Sequence, residues 1–259
     1  MEQSELRRLA HDALALKPGP HTRYRRDTGY VVRDGVSYVR QELRGPGFNW
    51  AAALGAPVAL EAIRRFGDSF YAGRDGGWGV LVDADVGHPV EDEIRHHGWA
   101  VAEDEPAFVL PSLADLSGDS MPGLQVHRAT DGAGLRTFTE TAGTAFNTPR
   151  EMWDLMTLPD AAAVDPDIAH LIGWYDGRPV ATAMMYRVGA TACIAGVAVL
   201  AEYRRKGFGT AITAAAIAAG AALGCTSAAL RAGPMSIGLY RRMGFLPACV
   251  HRTYAVPVN

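Results

Sequence analysis

The sequence has little of what would place it in several large functional classes. Cysteine is scarce: Cys193, Cys225 and Cys249 are the only three in 259 residues. They are odd in number, far apart, and form no C-x-x-C or Cys/His spacing. That argues against a disulfide framework or a zinc site and points to reduced thiols in a cytoplasmic protein. An excess of positive charge is also absent. Lys and Arg number 25 against 28 Asp and Glu, a formal net charge of −3, so bulk charge does not indicate a nucleic-acid partner. No long hydrophobic run occurs. The most apolar stretch, 211–223, is mostly alanine and shorter than the roughly 20 residues a membrane span needs. The N-terminal MEQSELRRLAHDALALK is too polar for a secretory signal. What remains is 48% hydrophobic and 20% charged, a globular composition with enough length for a core.

One stretch organises the rest. An apolar run, Val197-Ala198-Val199-Leu200, is followed by Arg204-Arg205-Lys206-Gly207-Phe208-Gly209-Thr210 and then by an Ala-rich segment. This reads as strand, glycine turn and helix. Such a turn leaves backbone N–H groups free at a helix N-terminus, where the dipole also favours negative charge. Arg204, Arg205 and Lys206 add formal charge. The stretch suits a phosphate or pyrophosphate, the plainer alternative being an ordinary strand-to-helix turn.

Taken in order, residues 4–17 have helical spacing, ended by Pro18-Gly19-Pro20. Asp34-Gly35 between β-rich runs predicts a hairpin within 30–43. A strand, a helix over 57–72, a strand, a helix over 89–97 and a strand ending near Leu113 follow. Residues 114–123, rich in Ser, Gly, Asp and Pro, read as a linker. Beyond it come a strand, a helix over 131–146 with Asp131 as cap, and a second helix over 149–158. A loop precedes a three-strand meander turning at Asp176-Gly177 and Gly189-Ala190. The glycine turn, the Ala-rich helix, a strand, a short helix over 236–243 and a last strand region complete the chain. The expected domains are 1–113 and 124–259. His97-Gly98-Trp99 and Met243-Gly244-Phe245, 146 positions apart, suggest a duplicated unit whose first copy lacks the Arg-rich turn.

Two motifs carry a resemblance. One is Arg204-Arg205-Lys206-Gly207-Phe208-Gly209, led in by Val199. The other is Ser236-Ile237-Gly238-Leu239-Tyr240-Arg241-Arg242-Met243-Gly244-Phe245. Together, and in this element order, they resemble the GNAT family of acyl-coenzyme A N-acyltransferases. The resemblance covers about 124–256. More loosely, the whole chain resembles two-half GNAT proteins with a degenerate N-terminal half. It implies an α+β GNAT fold: a mixed, mostly antiparallel central sheet flanked by helices, in two similar halves.

The resemblance also implies acetyl-CoA as co-substrate and no metal. Arg204, Arg205, Lys206, Gly207, Phe208, Gly209 and Thr210 would hold the pyrophosphate. Val197, Ala198 and Val199 would bind the pantetheine arm through backbone groups, with Ser236 and Tyr240 nearby. Tyr240 would protonate the departing thiolate. Two departures stand out. Gly233 occupies a position the family often gives to Asn. Ala192, Cys193 and Ile194 occupy the place of the family's Glu or His base. Replacement bases are Glu140, Glu151, Asp154, His170, Glu202 and His251, each more readily read as a solvated or structural residue. Cys193 reads as a buried strand cysteine. Phe146, Trp153, Tyr175 and Tyr186 are candidate acceptor-site residues, alternatively core.

The leading expectation is an N-acetyltransferase acting on a small-molecule primary amine. It would be a monomer with an internal pseudo-dimer or a homodimer, without nucleic-acid or membrane partners. The alternative is a catalytically weak, CoA-binding regulatory or accessory protein. A Rossmann-type nucleotide binder would need its glycine turn after the first strand of a βαβ series; here the turn follows a meander.

Overall fold

The structure, a computed structural model, describes residues 2–16, 20–25, 27–73, 76–85, 89–114, 116 and 121–257. Lys17 to Gly19, expected to end the first helix, and half of the expected linker 114–123 lie outside these residues.

The chain forms two compact units. Unit 1 is Met1–Phe108, Arg231–Gly233 and Pro247–Asn259; unit 2 is Val109–Leu230 and Pro234–Leu246. This departs from the expected boundary, because the last strand belongs to the N-terminal unit. Unit 1 contains α1 (Gln3–Leu16), β1 (Gly29–Arg33), β2 (Val36–Arg40), β3 (Trp50–Ala53), α2 (Leu60–Phe70), β4 (Gly79–Asp83), α3 (Pro89–His96) and most of β5 (Val101–Leu110). Its strand order is β1-β2-β3-β4-β11-β5, where β11 is Leu246–Ala255. The β1-β2 turn takes positive φ at Asp34 (50°) and Gly35 (75°), the primed-turn geometry that Asp-Gly favours.

β11 pairs antiparallel with β4, from His251 opposite Asp83 to Ala255 opposite Gly79. A buried carboxylate anchors it. Glu91 of α3, 1% exposed, accepts from Tyr254 Oη (2.7 Å) and from Arg252 (3.0 Å). A buried charge is tolerated only with such partners. Tyr254 and Val256 also enter the apolar core formed with Ile63, Trp78, Val80 and Ile94. Each of these contacts is long-range in sequence, so nothing local in 246–255 signals them.

Unit 2 contains β6 (Gln125–Arg128), α4 (Gly132–Phe146), α5 (Trp153–Met156), β7 (Ile168–Tyr175), β8 (Arg178–Val188), β9 (Thr191–Val199), α6 (Phe208–Ala222), β10 (Ser227–Arg231) and α7 (Ile237–Arg242). Its strand order is β6-β7-β8-β9-β10. The first three pairings are antiparallel and β9-β10 is parallel. Asp131 caps α4 as expected, its carboxylate accepting from Gly134 N at 2.8 Å. The expected helix over 149–158 shrinks to a 3-10 turn at Arg150–Met152 and the single turn of α5. Prolines at 149 and 159 bound the segment. The Trp153 indole packs where a Cβ on Gly143 would stand.

Helices cover both faces of the meander. Gly220 of α6 rests on Ala192. Phe138 of α4 meets His170 edge-on, ring centroids 5.0 Å apart. The row His170–Met184–Ala195 alternates with the row containing Met185 and Ile194, so α4 and α6 lie on opposite sides.

His170 is 4% exposed, and burial, assisted by Arg128, lowers its pKa to about 4. It is therefore neutral in the folded protein, whereas in the unfolded chain it titrates near 6.5. Below that value the unfolded state binds the extra proton, so stability falls as pH drops from 6.5 towards 4. The full effect of this group is about 3 kcal/mol. Thermal melts between pH 7 and 4.5 should show a smaller loss of melting temperature for His170→Leu than for the wild type; equal losses would refute this account.

Candidate functional site

The site begins where two strands part. β9 and β10 pair in parallel at Thr191–Ser227, Ala192–Ala228 and Cys193–Ala229, and no further. Beyond Cys193, β9 is held only on its β8 side, from Met185–Ile194 to Ala181–Val199. The register with β8 shifts between Thr182 and Met184, and Gly196 there takes φ 58°. A side chain at Gly196 would press on Met184 and on Phe138 of α4 (3.3 and 3.4 Å). A glycine within an apolar strand is a recognisable sign of a bulge, but Gly196 was not singled out from the sequence. Val197, Ala198 and Val199 occupy this parted segment.

The turn follows. A 3-10 turn, Ala201–Tyr203, leads into Arg204. Arg205 has φ 62°, a conformation glycine takes more easily. Gly207, at φ 94°, starts α6 without a side-chain cap. None of the backbone N–H groups from Arg205 to Thr210 donates to a described residue. The turn is exposed from Arg204 to Gly207, so these donors face an open surface at a helix N-terminus.

The two glycines have different reasons. Gly207 is required by its φ, and a Cβ there would lie 3.7 Å from Met121 Sδ. A Cβ on Gly209 would lie 3.0 Å from Leu239 Cδ1 and 3.8 Å from Val199 Cγ2. Gly209 thus lets α7 approach both the turn and the end of β9. Leu239 and Met121 were not singled out from the sequence, because nothing in their spacing marks them.

The cations are used unevenly. Arg204 Nε donates to Val199 O at 3.0 Å, and another guanidinium nitrogen donates to Ala145 O at 2.7 Å. It therefore ties the end of β9 to the last turn of α4, beside the exposed Phe146. Lys206 Nζ donates to Glu202 O at 2.9 Å and stands 5.6 Å over the Tyr203 ring. Arg205 makes no hydrogen bond or ion pair with described residues. Phe208 is buried beneath Tyr175 (5.1 Å) and Tyr203 (5.7 Å). Tyr175 is thereby part of the support of the turn.

Tyr240 is 4% exposed, its ring 5.7 Å from Phe245. Burial pushes its pKa up to about 12, partly offset by a hydrogen bond with the Ser236 side chain. The phenol is a neutral proton donor across the physiological range. Ser236 and Tyr240 are thus brought together.

The other acceptor candidates have separate neighbours. Trp153 lies on Gly143 and donates through Nε1 to Thr148 O (3.1 Å). Tyr186 is buried opposite Cys193, its hydroxyl 3.4 Å from Met184 Sδ, and burial pushes its pKa upward. Of the candidate bases, His170 is buried behind Phe138, and His251 belongs to unit 1. Glu140, Glu151, Asp154 and Glu202 are exposed. Ala192, Cys193 and Ile194 are buried and carry neither carboxylate nor imidazole. Among the described residues no group of three His, Cys, Asp or Glu is placed to hold a metal, and no helix is long and apolar enough to cross a membrane.

Comparison with known proteins bears directly on these residues. Residues 135–245 match the model of the acetyltransferase (GNAT) family. Among solved structures, a GCN5-related N-acetyltransferase from Kribbella flavida is similar at 22% identity and a TM-score of 0.73, with 96% of each chain covered. A GCN5-related N-acetyltransferase from Sphaerobacter thermophilus is similar at 12% identity and TM-score 0.59, over 100% of this chain and 96% of that one. A GCN5-related N-acetyltransferase-like protein from Streptococcus suis is similar at 16% identity and TM-score 0.57, over 97% and 98%. No curated protein matches the sequence. The chain thus has the fold of GNAT structures, and its residues 135–245, from within α4 to the end of the Tyr240 motif, match the GNAT acetyltransferase family model.

Proposed function

We propose that this protein transfers an acetyl group from acetyl-CoA to the primary amine of a small molecule, with Tyr240 as general acid. The observation that carries the reading is the run of unpartnered amides from Arg205 to Thr210, set directly after a strand that has left its parallel neighbour. Those amides and the helix dipole fit a pyrophosphate, and the free backbone edge of Val197 to Val199 fits an amide-bearing arm. Acetyl-CoA would supply the activated thioester. The chain's own part is to hold the two reactants together and to protonate sulfur from the Tyr240 phenol, which burial keeps neutral. Arg204 acts by fixing the turn to β9 and α4, and Arg205 is the cation left available to phosphate.

The parted strand carries no base. We therefore infer that the amine loses its proton to solvent before it attacks. Unit 1 reads as a GNAT-like half without a CoA site. Its β3-α2-β4-α3-β5 order repeats β9-α6-β10-α7-β11, with β3 and β4 also parallel over three pairs. At the start of α2, however, Leu60 N–H donates to the Glu93 carboxylate (3.3 Å), so the protein's own anion takes the place of a phosphate. The absence of a base on β9 is the one observation favouring a CoA-binding accessory protein instead. Release of free thiol from acetyl-CoA across an amine panel decides between them: no release with any amine supports the accessory role.

Tyr240→Phe should lower kcat about 100-fold or more while acetyl-CoA affinity, measured by calorimetry, changes little. An unchanged rate would remove the acid role. Gly207→Ala places a side chain at φ 94° and should weaken acetyl-CoA binding about tenfold; unaltered affinity would mean that the pyrophosphate lies elsewhere. With acceptors of different basicity, the acid limb of the kcat/KM profile should move with the pKa of the amine. A limb that stays in place would reveal a base in the protein.

A further inference from the structure

A buried hydroxyl holds the bulge in β9. In the ladder of β8 with β9, Thr182 stands opposite Ala198 and Met184 opposite Ala195, so Gly196 and Val197 together face Ala183. Two residues against one is the count of a bulge. Gly196 sits at φ 58°, and a glycine turns about its backbone bonds more freely than any other residue. A half-turn of the peptide between Gly196 and Val197 would exchange the directions of its C=O and its N–H. Thr182 Oγ1 donates to Gly196 O at 2.9 Å and so selects one of the two, with the C=O towards β8. Across a trans peptide the N–H lies opposite the C=O. The Val197 N–H therefore points away from β8, to the edge that β10 leaves after Cys193. The hydroxyl is not there for packing. Thr182 lies in the run Val180-Ala181-Thr182-Ala183, every residue of which is buried. Valine has the same shape and would bring no polar atom to satisfy.

We propose that Thr182 is a positioning residue: its hydroxyl fixes the Gly196–Val197 peptide so that the Val197 N–H meets the carbonyl oxygen of a bound acetyl thioester. This rests on the reading that acetyl-CoA lies along Val197 to Val199 with its pyrophosphate at 205–210, an order that brings its thioester end to Val197. Attack by an amine places negative charge on that oxygen, and a donor already aimed there lowers the barrier without reorganising. Thr182 touches neither the amine nor the thioester; it acts through the peptide it holds.

Calorimetry of the full chain with acetyl-CoA and with S-ethyl-CoA, which lacks only the carbonyl oxygen, reads this contact without turnover. The wild type should bind acetyl-CoA about fivefold more tightly. Thr182→Val should abolish that preference while the affinity for free CoA changes by less than about twofold. Thr182→Ser, which keeps the hydroxyl, should retain the preference. With an amine that supports thiol release, Thr182→Val should lower kcat at least about tenfold and leave the KM for acetyl-CoA nearly unchanged. Equal affinity of the wild type for the two ligands, a preference that survives in Thr182→Val, or its loss in Thr182→Ser overturns the proposal. The wild-type comparison decides even if Thr182→Val fails to fold. Thiol release without the preference overturns the Thr182 assignment and leaves acetyl transfer standing; the preference without thiol release from any amine does the reverse.

Discussion

The structure of unit 2 depends on where the pairing of β9 and β10 stops. A parallel pair that continued past Cys193 and Ala229 would satisfy the backbone of β9 on both edges. Because it stops there, the segment from Ile194 to Val199 keeps one free edge, and the chain must still be held in place. The β8 register, with its shift near Gly196, holds it on one side. Arg204 holds its end by bonding Val199 O, and through Ala145 O it makes the last turn of α4 part of the same support. The helix that follows then begins with its amides unpaired. The parted strand, the arginine clamp and the glycine turn are one mechanical arrangement.

Unit 1 uses the same strand–helix–strand order to a different end. Its parallel pair also stops after three residues, but a carboxylate from α3 takes the first amide of α2, and α1 docks on the gap through His11 and Arg7. The two gaps differ in what meets the helix start. Unpaired amides favour an anion, whereas in unit 1 the Glu93 carboxylate already accepts from the first amide of α2.

Tyr240 shows how burial sets a protonation state. A phenol in water has a pKa near 10; this one, held among Phe245 and the Ser236 hydroxyl, is pushed up to about 12. The position of its helix depends on Gly209, whose missing side chain admits Leu239. A residue that looks like a phosphate-turn glycine in the sequence therefore also governs the approach of α7, the helix that carries Tyr240.

Much of this was legible in the sequence. The Asp-Gly hairpins, the Asp131 cap, the meander and the glycine turn are local: each follows from the torsional preferences or hydrogen bonding of a few adjacent residues. The two motifs around Gly207 and Tyr240 are likewise contiguous, so the resemblance to the GNAT family could be read from them. Tertiary structure alone decided the rest. It assigned β11 to the N-terminal unit, because Glu91 and Asp83, more than 150 positions away, provide its partners. It set the Arg204 guanidinium on Val199 O and Ala145 O, and it placed the Tyr175 ring against Phe208 and the Trp153 indole against Gly143. Pairing across long loops, and the direction in which a long side chain points, are settled by packing between distant segments, and no local pattern encodes them.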